Sequence, residues 1–266
     1  MLQGYTVPRS PEGRASLVPP PPWHYVGDFL VLEYWADPAA VAAVLPPGLE
    51  PYPDDPGRCA AIFADWQSCS DSFDELLDPV RAQYREFFIV VNALYRGELV
   101  TTCPYIWVDK DFALARGWIQ GFPKKLGEIH ITRAYTLPVP VAAQPRPGTR
   151  FAGTASANGR LLAYGIVTVR ERSNDGPTHN APPLVNVRHF PRLAQGFHDK
   201  PAVHELVRAR SRDRHVGEIW VGDAHLELFP APREEHDKLA PVRLGKGYRL
   251  TFAYTVDDLE TLEELR

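Results

Sequence analysis

The stretch GWIQGFPKKL, residues 117–126, sets two adjacent lysines, Lys124 and Lys125, behind a Phe-Pro pair at the end of an apolar run. Pro123 biases Phe122 toward an extended backbone, so the lysines open a strand that continues as LGEIHI. Neighbours on a strand face opposite ways, so only one lysine enters an interior and the other points outward. An interior amine beside Trp118, Phe122 and Leu126 loses hydration, which disfavours its charged form. An ordinary lysine, with a pKa of ~10.4, is almost wholly ammonium at neutral pH, whereas a neutral amine attacks carbonyl carbon. A solvated turn is the plain alternative for such a pair. The lysine count favours the chemical reading: of 29 basic residues six are lysine, leaving 23 arginines. In a chain that uses arginine wherever a cation serves, a lysine pair points to amine chemistry.

Other chemistries lack their signatures. Nine histidines are present, but none stands in HExxH or in paired metal spacing. His215 and His225 flank one expected strand and could share a face, yet they make no ligand set; no metal is expected. GxSxG, the phosphate-binding P-loop and GxGxxG are all absent. Cys59, Cys69 and Cys103 are scattered and show no CxxC, which reads as reduced thiols in a cytoplasmic protein. A net charge of -4 argues against nucleic-acid binding, and the basic run RARSRDRH (208–215) reads as a solvated strand or loop face. The longest apolar run, FFIVV, is far too short to span a bilayer.

The elements that must position the lysines are mostly strands. Residues 1–22 are rich in Pro, Ser and Gly and read as an extended arm, leaving 23–266 as the folded domain. FLVLEYW (29–35) is a buried strand, and DPAAVAAVLPPGLEP is a short helix capped by Asp37 and stopped by Pro-Pro-Gly. Strands follow at 59–66, 86–95 and 98–108, the last two joined by a tight turn at Arg96-Gly97. The intervening 70–85 reads as a loop with a helical turn, and 109–122 as a helix ending at Gly121. Further strands are expected at 126–139, 150–171 (with a hairpin turn at Asn158-Gly159), 183–191, 215–229 and 248–256. DDLETLEELR (257–266) reads as a closing acidic helix. Strands joined by hairpins imply an α+β, mostly β, single domain: a curved or closed antiparallel β-barrel with a few peripheral helices.

The run YIWVDKDFALARGWIQGFPKKL (105–126) resembles the acetoacetate decarboxylase family, whose hallmark is an aromatic-Pro-Lys-Lys-Leu segment after an Asp-rich turn and short helix. Upstream, FLVLEYWADPAAVAAVLPPGLEP and YREFFIVV fit the family's order; so do PLVNVRHFP, IWVGDAHLELF and APV (240–242) downstream. The resemblance spans roughly 22–256. It implies that Lys124 forms a Schiff base with a keto acid, that Lys125 is the outward neighbour, and that Glu86 is the active-site glutamate. Acetoacetate decarboxylase is itself the standard example of a lysine activated by desolvation or a nearby cation. That role therefore comes with the resemblance.

Two departures matter. Decarboxylases of the family carry an arginine before the first strand that contacts the substrate carboxylate; Gly27 and Asp28 stand at the matching positions here. A second pocket acid is replaced by Ala61. Imine chemistry survives both losses. Members without the arginine are described as aldolase-dehydratases, which condense pyruvate or a related 2-keto acid with an aldehyde through a lysine enamine. In that reading Glu86 moves the C3 proton and assists loss of water, Gln120 donates to a substrate carboxylate or oxygen, and Tyr84 donates to the carboxylate in place of the missing arginine. Tyr254 is a further binding candidate implied by the family; core packing is the alternative for both tyrosines. A β-keto acid decarboxylase and a non-catalytic small-molecule binding barrel are the competing readings. No separate cofactor is implied, and the family forms homo-oligomers.

Overall fold

Alternating apolar residues and turn signals generate the strands, and the computed structural model describes residues 1–265. Strand β1 (Trp23–Trp35) leads into helix α1 (Pro38–Ala43), whose cap Asp37 accepts a hydrogen bond from the Ala39 amide. Then come β2 (Glu50–Pro51), β3 (Arg58–Cys69), α2 (Pro79–Ala82), β4 (Gln83–Tyr95), β5 (Glu98–Val108) and α3 (Asp111–Ile119). The lysine pair opens β6 (Lys124–Leu126), followed by β7 (Glu128–Ile131), β8 (Arg150–Ala157) and β9 (Arg160–Ser173). The last four are β10 (Val185–Phe190), β11 (Val203–Val216), β12 (Ile219–Leu228) and β13 (Arg243–Glu264).

These strands make one sheet in the order β6-β5-β4-β3-β1-β13-β12-β9-β8-β7, with β2 on β4 and a β10–β11 branch on β13. Among the described residues only the β5–β6 ladder is parallel. The mostly β, single-sheet architecture is the expected one, and "curved" describes it better than "closed". β13 carries β1 along one edge; on its other edge β12 pairs as far as Arg249 and β11 takes over from Phe252. That exchange folds β10 and β11 back toward β5, which they meet through the Thr101–Leu184 bridge, the Cys103 amide donating to Asn186 Oδ1 and the Arg208–Glu98 pair.

Alternation along β1 divides the interior. Leu30, Leu32 and Tyr34 enter one core with Phe63, Phe87, Ile89 and Phe151. Phe29 and Val31 face the other way, with Ile62, Trp66, Tyr84 and Ile106. The second face carries the candidate site.

Three expectations require correction. Residues 257–264 continue β13 instead of forming a helix, because β11 offers a ladder in which Arg210 and Arg212 meet Glu260 and Asp257; Arg266 lies outside the described residues. The strand expected over 126–139 ends at Ile131, and a loop with a single turn at Pro140–Ala142 follows. His215 and His225 lie on different strands, β11 and β12, and no cluster of three metal-binding side chains exists among the described residues. No helix among them is long and apolar enough to cross a membrane.

Candidate active site

Strand parity sorts the two lysines as their sequence context requires. Lys124 is buried, while Lys125 turns outward to Glu234 and the Trp107 ring. Lys124 Nζ donates to Glu86 Oε2 at 2.8 Å, with the two side chains 8% and 7% exposed. Phe122 and Tyr84 present their rings 5.6 and 5.3 Å from the amine. Trp118 and Leu126 do not wall it in: both are exposed, and Trp118 donates its indole N–H to the Lys124 carbonyl. A three-residue edge strand runs out before its third side chain meets a wall.

The lysine reaches the carboxylate by lying across α3 at Gly117. A Cβ there would stand 2.2 Å from Lys124 Cδ and 2.6 Å from Cε. Glycine at this point of the helix is thus a packing requirement, not a conformational one. Gly121, at φ +83°, ends α3 and turns the chain into Phe122-Pro123, which delivers Lys124 beside Ile106 of β5.

Glu86 sits in the middle of the sheet, between Ala64 of β3 and Val108 of β5. Its second oxygen, Oε1, accepts a 2.7 Å bond from the Trp66 indole. Both carboxylate oxygens are therefore engaged, one by the amine and one by a neutral donor. The long 70–82 connection hides this β3–β4 register from sequence reasoning, which missed Trp66.

It also missed Arg116. Phe112 and Arg116 of α3 and its C-cap Gln120 share one face at helical spacing, and the face is buried. The guanidinium stacks 4.7 Å from the Tyr25 ring and 5.6 Å from the Tyr84 ring and donates to Ser68 Oγ. Gln120 Nε2 reaches Tyr25 Oη at 3.3 Å. A cation thus supports this end of the cavity from the helix, although the strand position lacks one. The apolar spacing of FALARGWIQ, with an arginine four residues before Gln120, was the available signal.

Tyr25, Tyr84 and Tyr254 gather around Trp66, with Tyr254 stacked on Tyr25 at 5.0 Å. Burial raises all three phenol pKa values, and the Glu86 charge adds to the rise at Tyr84. They remain neutral hydrogen-bond donors at working pH. Lys124, Glu86, Gln120, Tyr84 and Tyr254 all line one cavity of about 540 Å³.

The two departures from the decarboxylase pattern take physical form here. The room an arginine would need at Gly27 is filled by the Trp66 indole: a Cβ would stand 2.7 Å from Trp66 Cε3. Ala61, however, faces the other core, away from the cavity. The positions of β3 on the cavity side are Ala60, Ile62, Ala64 and Trp66, and none is acidic. The basic run, expected as a solvated strand or loop face, lies on strand β11, and Arg208, Arg210 and Arg214 line the cavity as well as the surface.

With a buried lysine–glutamate pair set in a curved, mostly antiparallel sheet, the chain matches the acetoacetate decarboxylase (ADC) family model over residues 6–265. The chain belongs to that family. Among solved structures it is similar to the enduracididine biosynthesis enzyme MppR, at 35% identity. With MppR complexed with pyruvate the TM-score is 0.91, covering 99% of each chain. With MppR complexed with the condensation product of pyruvate and imidazole 4-carboxaldehyde it is 0.93, covering 100% of this chain and 98% of that one. An acetoacetate decarboxylase-like enzyme from Sphingomonas wittichii RW1 is 30% identical at TM-score 0.90, covering 99% of this chain and 100% of that one. Acetoacetate decarboxylase from Legionella pneumophila, at 18% identity and TM-score 0.78, shares the fold. No curated protein matches the chain.

Proposed function

We propose that this protein is a Schiff-base lyase of the aldolase-dehydratase kind, joining pyruvate or a related 2-keto acid to an aldehyde. The observation that carries the reading is the Lys124–Glu86 contact of 2.8 Å at the floor of a cavity much larger than pyruvate needs. The likeness to a protein that binds pyruvate and a pyruvate–aldehyde condensation product supports it.

The chemistry follows from the positions of the groups. Lys124 passes its proton to Glu86, and the free amine adds to C2 of the keto acid; Glu86 then returns that proton to the carbinolamine hydroxyl, which leaves as water to give the protonated imine. The protonated imine withdraws electrons from C3, and Glu86 accepts a C3 proton to leave an enamine. Enamine C3 attacks the aldehyde carbon, and the resulting alkoxide takes up a proton. Removal of the second C3 proton expels that hydroxyl as water, and hydrolysis of the imine releases an unsaturated 2-keto acid. Tyr84 and Gln120 donate to the substrate carboxylate, with Arg116 behind them supplying positive potential. Tyr254 packs against Tyr25 and shapes the site beside them. The lysine imine is the electron sink, so the reaction draws on no separate cofactor. We place the enzyme in the cytoplasm as a homo-oligomer.

Incubation of the protein with pyruvate and an aromatic aldehyde tests the reading by product mass. The expected product weighs the sum of the two substrates less one water and does not form with Lys124→Ala. Carbon dioxide from acetoacetate without any condensation product would instead mark a decarboxylase.

A further inference from the structure

The cavity does not end at the lysine. Along β1 the cavity-side residues run Tyr25, Phe29, Val31, Glu33, and the ladder aligns Phe29 with Ala64 and Glu86, but Glu33 with Ala60 and Val90. Four residues of strand separate those levels, or ~13 Å. The space between is walled by Ile62, Phe88, Val90, Ile106 and Leu184. Its middle is therefore apolar.

The far end is built differently. Glu33 Oε1 accepts from the Thr178 amide and hydroxyl at 2.9 and 3.0 Å and from Arg58 at 2.9 Å, which anchors the turn bearing His179. His179 lines the cavity, and its Nδ1 is buried with no hydrogen-bond partner among the described residues. Arg208 of β11 lines the cavity too. Its Nη2 is held by Glu98 at 2.8 Å, but its Nε is buried and likewise unpartnered. Burial, with Arg58 behind it, holds the His179 imidazole down at a pKa of about 3, so the ring is neutral and can carry its proton on Nδ1. A buried guanidinium N–H and a buried imidazole nitrogen, both without partners, are costly to keep in a folded protein unless a ligand engages them. Arg210, paired with Glu260 at 3.4 Å, adds positive charge to the same lining.

We propose that the acceptor aldehyde is an elongated molecule with an apolar, planar body whose far end is a carboxylate, bound by Arg208 Nε and His179 Nδ1. This rests on the condensation reading and names the substrate class that reading leaves open. The aldehyde carbon meets the enamine at Lys124, the body lies between Ile62 and Phe88, and the carboxylate lies at the Glu33 level without touching Glu33, whose oxygens are engaged by Thr178, Arg58 and Tyr248.

Binding separates this inference from the reaction itself. Calorimetric titration of 4-carboxycinnamyl alcohol and of cinnamyl alcohol compares two ligands that differ only in the distal carboxylate. Wild type should bind the carboxylated alcohol at least about tenfold more tightly, the ratio a charge-assisted hydrogen bond supports. Arg208→Met and, independently, His179→Leu should each remove most of that preference while retaining the lysine adduct formed with pyruvate and borohydride. Equal affinities in wild type, or a preference that survives in both variants, would overturn the inference. Loss of the preference in a variant that still melts cooperatively supports it; if one variant fails to fold, the other decides. Failure of the pyruvate adduct in wild type would count against the condensation reading, whereas the affinity ratio alone decides the distal carboxylate site.

Discussion

Lys124 Nζ and Glu86 Oε2 stand 2.8 Å apart in a deeply buried wall, and Trp66 holds the other glutamate oxygen at 2.7 Å. The pair is both the reactive centre of the proposed chemistry and a buried ion pair that the fold must tolerate. Those two roles give separable expectations.

Removing one partner should cost more than removing both. Lys124→Met leaves a buried carboxylate with one neutral donor and should lower stability by about 3–5 kcal/mol. Adding Glu86→Gln should recover a large part of that loss. Urea unfolding of the two single variants and the double variant measures the coupling directly. Additive losses would mean that the contact carries no interaction energy.

Gly117→Ala should disable the lysine without touching it. The new methyl occupies the path of Lys124 Cδ, so the amine moves away from Glu86 while α3 itself gains from alanine. Condensation should fall by about a hundredfold, the cost of displacing a reacting group by roughly an ångström. Steady-state rates with pyruvate check this, and a wild-type rate would show that Lys124 has room to spare.

Restoring the decarboxylase arginine should not restore a decarboxylase. At position 27 the Trp66 indole already fills the space, and moving it removes a hydrogen bond from Glu86. Gly27→Arg is expected to lose pyruvate adduct formation and to release no carbon dioxide from acetoacetate. Gas release above the wild-type level would show that the indole yields easily.

His179 should make the protein acid-sensitive. Its folded pKa is depressed to about 3 from an ordinary 6.5, so the unfolded chain takes up a proton first as pH falls. Stability from this residue is complete above about 6.5 and is lost as pH drops toward 3, at up to about 1.4 kcal/mol per pH unit. His179→Leu should flatten that slope relative to wild type in unfolding titrations between those limits. Parallel curves would contradict the depressed value.

The sequence made much of this legible, for local reasons. Pro123 and strand parity separate Lys124 from Lys125, the Arg96-Gly97 turn joins β4 to β5, and Asn158-Gly159 joins β8 to β9; each signal lies within a few residues. What stayed hidden depends on long-range pairing. The acidic 257–264 stretch has helical composition, yet opposite arginines on β11 recruit it into a strand. Trp66 meets Glu86 only through the β3–β4 register, and Ala61 looks like a pocket position until that register turns it away. Arg116 was visible only as a charge on an apolar helix face. The cavity's distal end needs Thr178, Glu33 and Arg208, from three distant segments, and no spacing rule connects them.

The most direct test of the central claim is intact mass after borohydride reduction in the presence of pyruvate, on wild type and on Lys124→Ala. The account predicts one stable adduct of reduced pyruvate on wild type and none on the variant. An adduct of equal yield on Lys124→Ala, or none on wild type, would contradict it.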